Sequence, residues 1–298
     1  MSNSHESHFD VRPMGEFFAA EVVGFSHQHT LTEDARALLV NAWAENVVLC
    51  FRDQHLGPGQ FLQLASIFGI PAQQPIQRAE YQVPGFPEVR VLSSAHVDTY
   101  GDGKPLLIGG TWHTDHSHLD DPPWGTMLHA LELPSRGGDT SFMNLTSAYR
   151  DLDEADKAVV DPLVGEHVYL SKYSKRRLQA MTPSEQARAA SARHALVRTH
   201  AVSGSRGLYF NPIRVERFEG VSEEASQALL EKLIAHGEKR EHIYRHCWRS
   251  GDVLLWDNRQ ALHMVAHDYP RDETRVMHRT LVGSPALAQK MAAANDAS

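Results

Sequence analysis

The residues best equipped for chemistry in this sequence lie in one run, Gly109-Gly110-Thr111-Trp112-His113-Thr114-Asp115-His116-Ser117-His118. His113 and Asp115 are two positions apart. In an extended segment such side chains leave the same face, so an imidazole and a carboxylate project together. Two ligands hold a divalent ion loosely, and a third is needed. His263, at the end of Trp256-Asp257-Asn258-Arg259-Gln260-Ala261-Leu262-His263, is the downstream candidate. Two histidines and one carboxylate on one side of a metal, with the other side open, form the ligand set of non-haem Fe(II) oxygenases. An H-x-D tripeptide alone carries little weight in a chain with 19 histidines. His116 and His118 crowd the same run and fit roles as ordinary polar residues or as groups that orient the ligands.

A second pair of functional candidates sits near the C-terminus. If Arg275 to Val282 is a strand, Arg275, Met277, Arg279 and Leu281 share one face, and Val276, His278, Thr280 and Val282 the other. Both faces carry apolar residues, which predicts an interior strand. A guanidinium buried there without an anion is costly. Pairing with Asp or Glu side chains is the plain structural solution. Beside an iron site, two anion receptors point instead to two anions: a dicarboxylate co-substrate and an acidic substrate. The planar fork of arginine meets a carboxylate with two hydrogen bonds.

The elements that must carry these residues are legible in outline. Glu21-Val22-Val23 is the clearest early strand. Thr32 is placed to cap a helix whose buried stripe is Ala35, Leu38, Leu39, Ala42 and Trp43. Val47 to Phe51 reads as a central strand, and Gly57-Pro58-Gly59 as a break. A second helix follows, with Phe61, Leu64, Ala65 and Phe68 on one face and Gly69 past its end. Val89 to Leu92 and Met127 to Leu131 are expected strands. Ser147 to Val160 reads as helical. Leu196 to His200 and Gly207 to Phe210 form a hairpin around Ser203-Gly204-Ser205. A third clear helix runs from Ser222 to His236, with Ala225, Leu229, Leu233 and Ile234 buried. The sequence is therefore read as a single domain over 1–298. It comprises N-terminal helical and strand elements (about 12–70), lid-like loops (about 71–108 and 171–194) and a fraying tail (about 284–298). Strands dominate the part that carries the metal-ligand candidates, which predicts a mainly β fold with flanking helices. The architecture expected is a double-stranded β-helix, the cupin-like jelly roll, whose mouth can hold a metal.

Composition bounds the partners. The 298 residues carry a formal charge of -8, which argues against a general nucleic-acid role. The basic run from Lys172 to Arg177 reads as a solvated loop. Cys50 and Cys247 make no disulfide framework, and Met1 to Asp10 has no apolar leader. No apolar run approaches a membrane span. A cytoplasmic protein is expected, in a compartment that keeps iron ferrous.

Several motifs occur together in a known order. They are Thr111-Trp112-His113-Thr114-Asp115, Leu133-Pro134-Ser135-Arg136-Gly137-Gly138-Asp139-Thr140, Val197-Arg198-Thr199-His200, Trp256-Asp257-Asn258-Arg259, His263 and Met277-His278-Arg279, with Arg52-Asp53-Gln54 and Phe68-Gly69 upstream. From about Val22 to about Val282 the chain resembles the TauD/TfdA family: taurine dioxygenase, the phenoxyacetate herbicide dioxygenases and the alkylsulfatases. The resemblance implies Fe(II)- and 2-oxoglutarate-dependent oxygenation with O2, giving succinate and CO2. It maps His113, Asp115 and His263 to the iron ligands, Thr140 and Arg275 to the distal carboxylate of 2-oxoglutarate, and Arg279 to the substrate's anionic group. It also implies a homo-oligomer, a dimer or tetramer. His118 stands where many members carry an aromatic residue. Gln73 to Arg78 lacks the histidine of taurine-specific members, and Gly109 lies near their asparagine. These departures point away from taurine and toward a bulkier small anion, an aryloxy or alkyl carboxylate or a sulfonate, whose hydroxylation can end in C–O or C–S cleavage. Two other classes fit the metal ligands alone: a metal-dependent hydrolase and a non-catalytic sensor of metal or 2-oxoglutarate.

Overall fold

A computed structural model describes residues 9–16, 18–74, 81–95, 109–173 and 191–296. The chain is mostly β with a few helices. The strands in order are β1 (Asp10–Pro13), β2 (Ala19–Val23), β3 (Val48–Phe51), β4 (Ile70–Ala72), β5 (Gln82–Val83), β6 (Phe86–Ser93), β7 (Gly125–Glu132), β8 (Thr140–Asn144) and β9 (Val164–Val168). They continue as β10 (Ser191–Ala195), β11 (Val197–Thr199), β12 (Arg206–Leu208), β13 (Val215–Phe218), β14 (Ile243–His246), β15 (Val253–Asp257), β16 (Ala261–Val265) and β17 (Val276–Gly283). The helices are α1 (Glu33–Asn46), α2 (Pro58–Ala65), α3 (Leu145–Arg150), α4 (Glu154–Val160), α5 (Glu223–Gly237) and α6 (Pro285–Asp296).

Two sheets matter for the site. The larger has nine strands in the order β1-β2-β3-β15-β7-β17-β6-β5, with β4 also paired to β17. The smaller has the order β14-β8-β16. Residues Val48 to Phe51 are all buried because both faces of the large sheet are covered. Leu49 and Phe51 face α1 and α2, packing with Leu39, Trp43, Phe61 and Phe68. Val48 and Cys50 face the smaller sheet, in a cluster with Leu254, Trp256, Phe142, Ala261 and Met277. Interior strand β17 lies between β7 and β6, as the apolar residues on both its faces demand. Among the described residues no helix is long and apolar enough to cross a membrane.

Local differences from the expected elements have physical reasons. Thr32 caps α1 by accepting from Ala35 N, yet Leu38 is exposed, at the edge of an arc centred between Ala35, Leu39, Ala42 and Trp43. Gly57-Pro58-Gly59 does not break the chain: Gly57 is the N-cap and Pro58 opens α2, where its missing N–H costs nothing. The stretch from Ser147 to Val160 is two helices, because Asp153 accepts from Asp156 N and starts a new one. The buried face of α5 is Ser226, Leu230, Leu233 and Gly237, with Ala225 exposed. The apolar pattern misses this because Ser226 is buried by its hydrogen bonds to Phe218 N and Ser222 O. The tail does not fray along its length: α6 buries Leu287 and Met291 against Leu119, Ala72 and Leu281. Of the expected lid loops, 75–80, 96–108 and 174–190 lie outside the described residues, and 191–195 is strand β10 on β9.

Candidate active site

The metal-ligand candidates converge, although His263 lies 150 positions after His113 and 148 after Asp115 in sequence. His113 bridges to the edge of β16 through a reciprocal backbone pair, His113 N to His263 O at 3.1 Å and His263 N to His113 O at 2.8 Å. That antiparallel pairing sets the imidazoles side by side, ring centroids 4.1 Å apart. Asp115 completes the group, and one ligand atom from each of the three lies within 4.8 Å of the others. His263 Nε2 stands 3.8 Å from Asp115 Oδ2. The two histidines belong to the small-sheet side. Asp115 is held from the large sheet: Thr126 Oγ1 on β7 donates to Asp115 Oδ2 at 2.6 Å.

The donor set is in the right protonation state for a cation. Burial drives His113 below its usual pKa, and drives His263 well below it, so both imidazoles are neutral and need release no proton to ligate. His113 Nδ1 lies 2.8 Å from the Thr111 carbonyl. A carbonyl only accepts, so Nδ1 carries the proton and Nε2 presents its lone pair. Burial pushes the Asp115 carboxyl up, but the positive charge of Arg279 outweighs it and keeps the carboxylate ionised. Arg279 Nη2 lies 2.7 Å from Asp115 Oδ1, an ion contact without the angle of a hydrogen bond.

Arg275 has no such anion. Its Nε donates to Gly138 O at 3.2 Å, while Nη2 is buried and meets no hydrogen-bond acceptor among the described residues. Burial pushes this guanidinium down to about 10. Gly138 adopts φ +74°, and a Cβ there would stand 3.2 Å from Arg275 Cδ, so glycine lets the turn close on the side chain. Trp248, which the sequence reading passed over, joins Arg275 to Thr140: its ring lies 5.8 Å from the Arg275 Cζ, and its Nε1 donates to Thr140 Oγ1 at 3.0 Å. With that acceptor position filled, the Thr140 hydroxyl proton is free to donate elsewhere. Arg275 and Thr140, both buried and bridged by the half-buried Trp248, thus form a cationic donor cluster, which suits a carboxylate.

The remaining motif residues brace this arrangement. Trp256 packs on His263 with centroids 4.6 Å apart. Asp257 is buried and bound by Arg259 and by His200 Nε2 at 3.1 Å, which ties the hairpin β11–β12 to the end of β15. Asn211 Nδ2 donates to Thr114 O at 2.7 Å and so fixes the loop carrying Asp115. His118 is buried against Tyr169, and His116 adopts φ 51° beside Gln74. A second group with metal-ligand chemistry, Cys50, His246 and Asp252, is already neutralised. Asp252 Oδ2 receives Arg52 Nη1 at 2.5 Å, His246 Nε2 at 3.0 Å and Arg249 N at 2.8 Å, so this carboxylate oxygen is engaged by an ion-pair network.

The same chain matches the family described as taurine catabolism dioxygenase TauD, TfdA family, over residues 10–281. It is 30% identical to the (S)-phenoxypropionate/alpha-ketoglutarate-dioxygenase of Sphingobium herbicidovorans, covering 95% of this chain and 98% of that one. It is also 30% identical to an alkylsulfatase of Acinetobacter baylyi, covering 92% and 84% of the two chains. Among solved structures, AAD-2 in complex with Mn(II) and N-oxalylglycine superposes with a TM-score of 0.77 at 26% identity, over 93% of this chain and 97% of that one. A family match over nearly the whole length, with relatives of this identity, is what the spacing of the motifs foretold: the chain belongs to the TauD/TfdA family of 2-oxoglutarate-dependent dioxygenases, and is an oxidoreductase.

Proposed function

We propose that His113, Asp115 and His263 hold Fe(II), that Thr140 and Arg275 hold the distal carboxylate of 2-oxoglutarate, and that Arg279 receives the anionic group of the primary substrate. The observation that carries this reading is the pairing of a neutral-histidine, ionised-aspartate triad with a buried arginine whose Nη2 meets no hydrogen-bond acceptor among the described residues. A hydrolytic zinc site has no use for such an arginine. When bound, iron and 2-oxoglutarate supply the oxidising power for C–H hydroxylation, with succinate and CO2 as co-products. The protein's part is to bind, orient and exclude water.

Each residue has a derivable task. His113 and His263 offer lone pairs at no protonation cost. Asp115 lends a full negative charge. Thr140, its oxygen lone pair occupied by Trp248, donates its proton to a carboxylate oxygen, and Arg275 supplies the charge-assisted partner. Arg279, within β17 and four residues on from Arg275, stands beside Asp115, with its Nη2 2.7 Å from Oδ1. Asp115 would hold the metal, whose charge would neutralise that carboxylate, so that Arg279 would be free to meet a second anion.

The substrate class we infer is a small organic anion, an aryloxy or alkyl carboxylate, sulfonate or sulfate ester. The relatives named for phenoxypropionate and for alkyl sulfates support it, as does Gly109, which puts no side chain beside the His113 ring. Hydroxylation at a carbon bearing an ether or ester oxygen leads to C–O cleavage. A jelly roll is the architecture we assign, supported by the large sheet facing the small one across the triad, within one domain. A cytoplasmic location is supported by the two free cysteines, and a homo-oligomer by the family membership. Succinate release from 2-oxoglutarate, screened over aryloxyacids, alkyl sulfates and sulfonates with uncoupled turnover subtracted, tests the reading. Stimulation by at least one such anion is expected. Succinate formation that no anion stimulates, or none at all in the presence of Fe(II), overturns it.

A further inference from the structure

Asp115 does not stand alone: a buried chain of hydrogen bonds runs from Trp256 to its carboxylate. Trp256 Nε1 lies 2.9 Å from Asn258 Oδ1, Asn258 Nδ2 lies 2.9 Å from Thr126 Oγ1, and Thr126 Oγ1 lies 2.6 Å from Asp115 Oδ2. Trp256, Asn258 and Thr126 are each at most 1% exposed. The chain has a single possible polarity. An indole N–H can only donate, so the amide atom facing Trp256 is the oxygen. The atom facing Thr126 is therefore the amide nitrogen, which can only donate. The Thr126 hydroxyl accepts there, so its one proton must go to Asp115 Oδ2. No alternative rotamer or amide flip satisfies all three groups.

The backbone enforces the same arrangement. Trp256 and Thr126 are direct cross-strand partners on β15 and β7. Asn258, just past β15, has its N–H on Trp124 O and accepts Thr114 Oγ1 at its carbonyl, 2.8 Å away. The residue before Asp115 and the residue that orients the Asp115 donor are thus linked. We propose that Thr126, oriented by Asn258 and Trp256, is a positioning residue that fixes the rotation of the Asp115 carboxylate and so sets the affinity and geometry of the metal site. The proposal rests on the assignment of Asp115 as a metal ligand. The hydroxyl occupies one lone pair of Oδ2 and resists rotation of the carboxylate about its Cβ–Cγ bond. Removing such an orienting partner typically weakens metal binding by roughly 10- to 100-fold.

The test is a Co(II) titration of the metal-free full-length protein, followed by ligand-field absorption. Wild type, Thr126→Val, Thr126→Ser and Asn258→Asp are compared, with thermal melting of each metal-free protein. Thr126→Val keeps the shape and removes the proton. It is expected to weaken Co(II) about 10-fold or more and to alter the spectrum, with Thr126→Ser restoring both. Asn258→Asp inverts the polarity: an oxygen now faces Thr126, draws its proton away from Asp115, and should weaken Co(II) as Thr126→Val does. That variant decides the matter if Thr126→Val does not fold. Co(II) binding within threefold of wild type, with an unchanged spectrum, in the folded variants overturns the proposal. So does a loss in Thr126→Val that Thr126→Ser fails to restore. Failure of the wild type itself to bind Co(II) removes the metal-ligand assignment instead, so the two failures are distinguishable.

Discussion

Replacing Arg275 by Met should separate ligand binding from folding in opposite directions. In the ligand-free protein the guanidinium is buried, holds only Gly138 O at 3.2 Å, and has an Nη2 with no acceptor among the described residues. Its pKa is pushed down to about 10 by burial, which the more distant Tyr269 and Asp139 do not offset. Met fills a similar volume and removes that cost. Losing the Gly138 contact costs about 1 kcal/mol, which the relief of the unmatched charge offsets. The melting temperature without ligand should therefore hold or rise. With 2-oxoglutarate the balance inverts. Deleting one side of a buried, hydrogen-bonded charge pair costs about 2–5 kcal/mol. At 1.4 kcal/mol per decade that is roughly a 30-fold to few-thousandfold rise in the 2-oxoglutarate needed for half-maximal succinate release. The assay is succinate formation against 2-oxoglutarate at saturating iron and substrate, beside thermal melts without ligand. A half-saturation shift of less than threefold refutes the reasoning. So does a drop of several degrees in the ligand-free melt, because the charge would then have a partner after all.

Arg279→Ala should raise the half-saturating concentration of the primary anion and leave that of 2-oxoglutarate nearly unchanged. Because Arg279 Nη2 sits 2.7 Å from Asp115 Oδ1, the same change should not weaken metal binding; a specific rise in the 2-oxoglutarate requirement would reverse the two arginine assignments. His278 is held down to about 4, chiefly by burial and then by the His129 charge. A depressed histidine adds stability above the unfolded value of about 6.5 and loses it as pH falls toward 4. His278→Phe should therefore flatten the fall in melting temperature between pH 6.5 and pH 4, and an unchanged pH profile contradicts this. Gly125→Ala should lower the melting temperature, since its Cβ would stand 2.5 Å from Trp43 Cζ2 and 2.8 Å from Trp256 O. Overpacking of this kind costs about 1–3 kcal/mol, and a melt like wild type would show that the β7–β15 packing is looser than described.

The iron-ligand candidates and the paired arginines were legible because their signals are local: a two-residue spacing, a strand with alternating faces, a motif order. Arg279 lies within β17, and Arg275 stands one residue before its first position. What spacing could not tell is how His113 meets His263. That depends on a reciprocal backbone bridge between a loop and the edge of β16, which leaves no mark in composition. Trp248 and Thr126 were missed for a related reason. Their roles come from neighbours distant in sequence, and a lone Trp or Thr reads as packing. Asn258 was visible within Trp256-Asp257-Asn258-Arg259, but its task follows only from which atom of the amide Trp256 faces. The helical stripes were off by about one position in α5 because a buried, hydrogen-bonded Ser226 replaces the expected apolar residue. The tail was mistaken for a fraying end because Leu287 and Met291 are two apolar residues in an Ala-rich run. They bury themselves only where Leu119, Ala72 and Leu281 meet.

The most direct test of the central claim is an anaerobic titration of the purified protein with Fe(II) in the presence of 2-oxoglutarate, followed by visible absorption. A 2-oxo acid chelating ferrous iron gives a charge-transfer band that neither component gives alone. The account predicts that the band saturates at one iron per chain, is lost in His113→Ala and His263→Ala, and in Arg275→Met demands far more 2-oxoglutarate. A protein that forms no such band, or that keeps it unchanged after either histidine is removed, contradicts the account.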